Sequence, residues 1–347
     1  MIISDESKGR LAAWWEHEDM DRPCFLFNTI NDRSSVPDTD NVERFWSDVD
    51  FVMDREMAVI NRSTYFCEAV PHHYINLGSV PLGGCLGGGL SLIDKVTTWN
   101  EPFIKRTEDI LDLDVTQNNK WWSLIRKTTE RSAEKSANHH YVSYQAFSGI
   151  TDIISSVLGL EPFIFELVDN PEGIKKVSHH LLDIWVRLYK ELAVIIDAAG
   201  NDGYVGGWPG VWSPGRSFPL QEDVSYMLSR EMFEEFCLPC IDSLMQVMDF
   251  PYYHLDGKGP LKFVDTLLEI EKLKVIQWVP GAGCEEMSQW HDLIKHIISH
   301  GKSVHVYARE EEVEPLIKAV GCNGLLISTG FSSNESMRRF IGKDSAF

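Results

Sequence analysis

Eight short apolar runs, separated by helical patterns along 347 residues, constrain the fold of this chain most. They are CFLFNT (24–29), VPHHYI (70–75), YVSYQA (141–146), GYVGG (203–207), PYYHL (251–255), KVIQWV (274–279), SVHVYA (303–308) and GLLIST (324–329). Runs of this length, rich in β-branched and aromatic residues, read as buried strands. Between them, residues 170–200 read as a helix, with Asn170 as N-cap, Pro171 in its first turn and Gly200 at its end. A second helix starts at Ser229 and should kink at Pro239; a third ends at Gly301. Strands alternating with helices predict a parallel sheet. Eight such units predict an α/β chain folded as a (β/α)8 TIM barrel. A doubly wound open sheet is the alternative. It fits less well, because no Gly-rich phosphate loop opens a helix after the first strand, and no nucleotide is expected. The expected organisation is one barrel domain over residues 1–347, with a helical extension over roughly 1–20.

A barrel places chemistry at the carboxyl ends of its strands. There PYYHLD brings His254 and Asp256 two residues apart, and residues i and i+2 of a strand share a face. An imidazole and a carboxylate projecting together suit metal binding, proton transfer or substrate contact. Other strand ends and nearby loops contribute Asn28, His72, Asn76, Tyr144, Trp208, Trp212, Gln277, His305 and Tyr307 as candidate substrate contacts. Trp208 and Trp212 stand in Gly/Pro-rich loops, where large amphipathic rings often wall a pocket. His72 and His73 are adjacent, so only one should face the pocket. Asp223, or its neighbour Glu222, is a further available carboxylate. Cys284, in GAGCEEMSQW, is the cysteine nearest the expected active face. Cys237 and Cys240 form a C-x-x-C inside a helix, where core packing outweighs metal or redox chemistry. GGCLGGGL (83–90) lacks the Lys of a phosphate loop and reads as a flexible segment.

Composition narrows the partners. The net charge of −20 disfavours nucleic acid and anionic membrane, whose binding needs Lys and Arg. No apolar run reaches the length of a membrane span, and the first residues lack a signal-peptide core, so a cytoplasmic protein is expected. Seven cysteines without framework spacing are expected to be reduced thiols.

Three stretches resemble the uroporphyrinogen decarboxylase-like superfamily, which includes cobalamin-dependent methyltransferases. They are FSGITDIISSVLGLEPFIFELVDNPEGIKKV (147–177), LQEDVSYMLSREMFEEFCLPCIDSL (220–244) and YYHLDGKGPLKFVDTLLEIEKLKVIQWVPG (252–281). The resemblance implies the same barrel. It places Asp223 at the family's acid and His254 at the His of the family's zinc-binding His-x-Cys, with Asp256 in place of that Cys. The family's C-terminal Cys ligand falls near Thr329 and Gly330, which leaves zinc to His254 and Asp256, with Cys284 as a displaced third candidate. The decarboxylases have an Arg-rich loop after the first strand, whereas NTINDRSSVPDTD holds a single Arg33. Their essential Asp is matched here by Asn76, a neutral amide. The resemblance therefore implies the methyltransferase side. A small methylated molecule would donate to a corrinoid (cobalamin) carried by a partner protein, with His254, Asp256 and Asp223 as catalytic residues. A decarboxylase or lyase acting on a small acid is the second expectation, and a non-catalytic ligand-binding barrel the third. A homodimer is left open.

Overall fold

The computed structural model describes residues 2–30 and 35–343. In chain order their strands are β1 (Cys24–Ile30), β2 (Ser63–Cys67), β3 (His72–Tyr74), β4 (Ser91–Leu92), β5 (Thr98–Trp99), β6 (Tyr141–Ser143), β7 (Tyr204–Val205), β8 (Trp212–Ser213), β9 (Ser217–Leu220), β10 (Phe250–Asp256), β11 (Val275–Val279), β12 (Ser303–Tyr307) and β13 (Leu325–Gly330). A seven-stranded sheet runs β2-β1-β13-β12-β11-β10-β9 and is parallel except where β2 pairs with β1. A second sheet runs β3-β6-β7-β8, parallel up to the β7–β8 hairpin. The chain is thus a mixed α/β fold built on a mostly parallel sheet. No helix among the described residues is long and apolar enough to cross a membrane.

Each of the eight expected runs contains a strand, but VPHHYI shortens to three residues and GYVGG to two. Five strands, β2, β4, β5, β8 and β9, were not anticipated. SFPL is short and contains Pro219, yet β9 sits at a sheet edge, where a residue without an N–H is tolerated. STYFC follows a helix directly and turns back along β1. The helix Pro171–Ala198 begins as expected, with Asn170 accepting from the Gly173 amide. Ser229 likewise caps its helix, and the turn Phe233–Cys237 widens to π geometry just before Pro239, which can neither donate to the preceding turn nor pack closely against it.

Alternation divides the sheet into two layers. Phe25, Phe27, Tyr253, Leu255, Ile276, Trp278, Val304, Val306, Leu325 and Ile327 join the core packed by helices. On the other face, Cys24, Leu26, Tyr252, Val275 and Leu326 form a second cluster with Tyr141 and Val205 of the other sheet. The helix Asp5–Trp15 covers this cluster at the strand starts. Its Trp14 indole donates to Gly324 O and its Trp15 indole to Trp212 O. Two buried indoles, each covering about 150–250 Å² of surface, seal this end, so the opposite end is the one left to bind ligands.

Candidate functional site

The same alternation that sends Tyr253 and Leu255 toward the helices sends His254 and Asp256 to the inner face. Register carries the pattern to the neighbouring strands: His254 lies beside Gln277, and Gln277 beside His305. From the second sheet, Tyr74 and Asn76 face the same space. A cleft of about 330 Å³ opens there, lined by His254, Asp256, Asp223, Trp208, Tyr74 and Asn76 among others. A smaller cavity of about 220 Å³ adjoins it across Trp208 and is lined by Asn28, His72 and Tyr307. The loop after β1 carries Arg33, which lies outside the described residues. Among the described residues lining the larger cleft there is no Lys or Arg.

Gln277 fixes the imidazole of His254. Its Oε1 accepts from His254 Nδ1 at 2.6 Å, which leaves Nε2 as a lone-pair acceptor. The other end of the amide donates to Tyr307 Oη and His305 Nδ1, both at 3.2 Å. His305 then presents Nε2–H to Ser328 Oγ at 2.7 Å, while the Tyr252 hydroxyl also bonds its Nδ1. Burial lowers the pKa of His254, more than its bond to Gln277 and the charge of Asp256 raise it. His305, fully buried beside His254, is pushed down to about 3. Both rings are therefore neutral near pH 7. The Trp208 ring stands edge-to-face to His254, with centroids 5.1 Å apart and planes at 90°.

Asp223 faces the cleft and accepts from the Gln221 side chain at 2.9 Å. Its side chain is exposed at the cleft mouth. Desolvation by the protein around it, followed by the negative charge of Asp152 and Asp256, pushes its pKa up to about 8.

A reciprocal pair of carboxylates holds Asp223 from behind. Asp152, three residues into the helix that follows Gly149, accepts the amides of Gly149 (3.1 Å), Asp223 (3.0 Å) and Val224 (2.7 Å). Glu222 accepts the amides of Ile150 (3.0 Å) and Thr151 (3.2 Å), together with the Thr151 hydroxyl. Each acid thus caps the backbone of the other's segment. A Cβ at Gly149 would lie 2.2 Å from the Glu222 carboxyl carbon, so only glycine fits there. Burial raises both acids, and Asp152 raises Glu222 further. Glu222 is therefore turned into the protein, away from the cleft.

Three of the other candidates stand apart. Tyr144 points to the helix side and stacks on Tyr189, with centroids 4.8 Å apart. Trp212 belongs to the buried cluster at the strand starts, where its indole donates to Asp202 O. Cys284 lines neither cavity; it packs half-buried in the loop after β11, and its carbonyl accepts the Trp290 indole. Of the adjacent histidines, His72 reaches the smaller cavity and His73 turns away to Ser132. Tyr74 and Gln221 also line the larger cleft and were not anticipated. Alternation from His72 through Asn76 carries the signal for Tyr74. Val96 and Thr97, from the β4–β5 hairpin, carry none. Among the described residues, no three His, Cys, Asp or Glu side chains are grouped so as to hold a metal ion.

No family model matches the chain, and no curated protein does. Chemically, the cleft combines a hydrogen-bond acceptor at His254 Nε2, a carboxyl of raised pKa at Asp223 and aromatic walls.

Proposed function

We propose that this chain is a (β/α)8 enzyme of the uroporphyrinogen decarboxylase-like kind that removes a methyl group from a small molecule and passes it to a corrinoid-bearing partner. Support for the barrel comes from Gly206, just after β7, where a Cβ would lie 2.4 Å from Ser217 O of β9, so the two sheets approach backbone to backbone there. The observation that carries the chemistry is that the Asp223 carboxyl, its pKa raised, shares a cleft with the imidazole of His254, whose pKa is lowered. Methyl transfer from a heteroatom leaves an electron pair on that atom, and a positioned acid lowers the barrier by protonating it. A decarboxylase or lyase on a small acid is the second reading; no Lys or Arg lines the described cleft, which counts against a polyanionic substrate.

The corrinoid would supply the methyl acceptor and belongs to the partner. Apolar side chains exposed around the mouth, including Val96, Tyr226 and Met227, give that partner a surface to rest on. For zinc, His254 and Asp256 share the cleft, which is two protein donors against the three of a catalytic zinc site. A zinc ion there would complete its shell with water or substrate. A cytoplasmic setting agrees with this reading.

Incubation with reduced cobalamin and a panel of methylated donors tests the proposal, with methylation of cobalamin read by absorbance and metal content measured on the same sample. Transfer by the wild-type protein that His254→Ala abolishes is the expected result. Decarboxylation of a small acid without methyl transfer would overturn it.

A further inference from the structure

The helix Pro171–Ala198 turns Lys175, Ser178 and Leu182, at positions i, i+3 and i+7, toward the segment Phe233–Met245. That segment answers with Phe236 and Cys240, four residues apart. Where the two stripes meet, the side chains are small: Ser178 stands beside Cys240. The π turn at Phe233–Cys237 carries one extra residue and offsets the helix that follows, so the gap is not closed. A cavity of about 320 Å³ remains between the two helices. It shares no lining residue with either cavity of the candidate site.

We propose that this cavity is a separate binding site for a small neutral phenol-like molecule, with an apolar body of about one ring and one hydroxyl. The deciding residue is Ser178. It is 4% exposed, and its hydroxyl has no hydrogen-bond partner among the described residues. A serine within a helix ordinarily bonds the carbonyl one turn back, as Ser243 does to Pro239 O at 2.8 Å in the facing helix. Ser178 makes no such bond and faces the cavity instead. The Cys240 thiol beside it is a weak partner. A buried hydroxyl left unmet is unfavourable, and a ligand hydroxyl would meet it.

The other walls set the rest of the ligand. Leu182, Phe236 and Pro239 present apolar surface, and the volume suits a single ring. Lys175 at the rim is held between Glu172 (2.9 Å) and Glu235 (2.8 Å), so its charge is already met and an anion gains little. Cys240 serves as wall rather than as a reactive thiol, because burial, followed by the charge of Glu222, pushes its pKa up to about 12.

An NMR titration of the full chain with phenol and with toluene, its counterpart without the hydroxyl, tests this. Phenol should bind saturably with a Kd below about 10 mM. Leu182→Trp, which fills the cavity from a half-buried position, should abolish that binding. Ser178→Ala should shift the ratio of the two constants against phenol by about 3- to 10-fold, the worth of one hydrogen bond. The same variant should leave the unfolding midpoint of the ligand-free protein unchanged or higher, because it removes a buried hydroxyl without a partner. Benzoate, whose carboxylate would be buried unpaired, should bind at least about 10-fold more weakly than phenol. The inference is overturned by phenol binding that survives Leu182→Trp, by a phenol-to-toluene ratio that Ser178→Ala leaves unchanged, by a lack of saturation at about 10 mM, or by benzoate binding as tightly as phenol. A lowered midpoint in Ser178→Ala would also overturn it, by showing that the hydroxyl is already satisfied within the protein.

Discussion

Replacing Asp223 by Asn is expected to lower methyl transfer by two to four orders of magnitude, the usual contribution of a positioned general acid. The substitution conserves shape and a hydrogen-bond donor but cannot release a proton. The pH profile separates this role from a structural one. Asp223 has its pKa pushed up to about 8 by burial and by the charges of Asp152 and Asp256. The acid works only while protonated, so kcat/KM of the wild type should be flat toward neutral pH and fall about tenfold per unit above that value. His254 does not produce this limb, because its pKa is lowered rather than raised. In the Asn variant the residual rate should lack the inflection near 8. A loss below about threefold, or an inflection that persists in the variant, would remove Asp223 from the chemistry.

The route from sequence to this site was uneven. Spacing alone put His254 and Asp256 on one face, and parallel register then carried that face to Gln277 and His305. Tyr144 shows where spacing fell short. It lies one residue beyond β6, and whether 141–143–145 or 142–144 faces inward depends on how the strand is rotated against its neighbours, which a single run does not state. Trp212 looked like a pocket wall because Gly and Pro surround it. Its partner is Trp15, 197 residues away in sequence, and no local pattern encodes that contact. The parallel pairing of most strands followed from the alternation of elements, whereas β9 and β2 depended on tertiary pairing that overrode weak local signals. Asp152 and Glu222 fall between these cases. Gly149 followed three residues later by an acid resembles a helix start, but the reciprocal bond to a segment about 70 residues on does not show in either stretch.

That reciprocal pair leads to the largest expected effect on stability. Asp152→Ala should destabilise the fold by about 3 kcal/mol, because the amides of Gly149, Asp223 and Val224 lose their acceptor and each unmet buried donor costs about 1–3 kcal/mol. The loss is partly offset, since the substitution also removes a buried carboxyl that repels Glu222. The offset gives the prediction a sign in pH. Asp152 and Glu222 both have raised values in the folded chain, so the folded state holds protons that the unfolded state has released. Their contribution to wild-type stability is fully present below the unfolded carboxyl range, near pH 4, and is lost as pH rises through the raised folded values. The variant lacks one member of the pair and is released from part of this penalty. The difference in denaturant midpoint between wild type and Asp152→Ala should therefore be widest at about pH 4 and narrow as pH rises above the unfolded carboxyl range. A constant gap as pH rises would mean that the two acids do not share their protonation. A gap that widens with pH would mean that Asp152 is held as a carboxylate by its three amides, and that burial is the lesser influence.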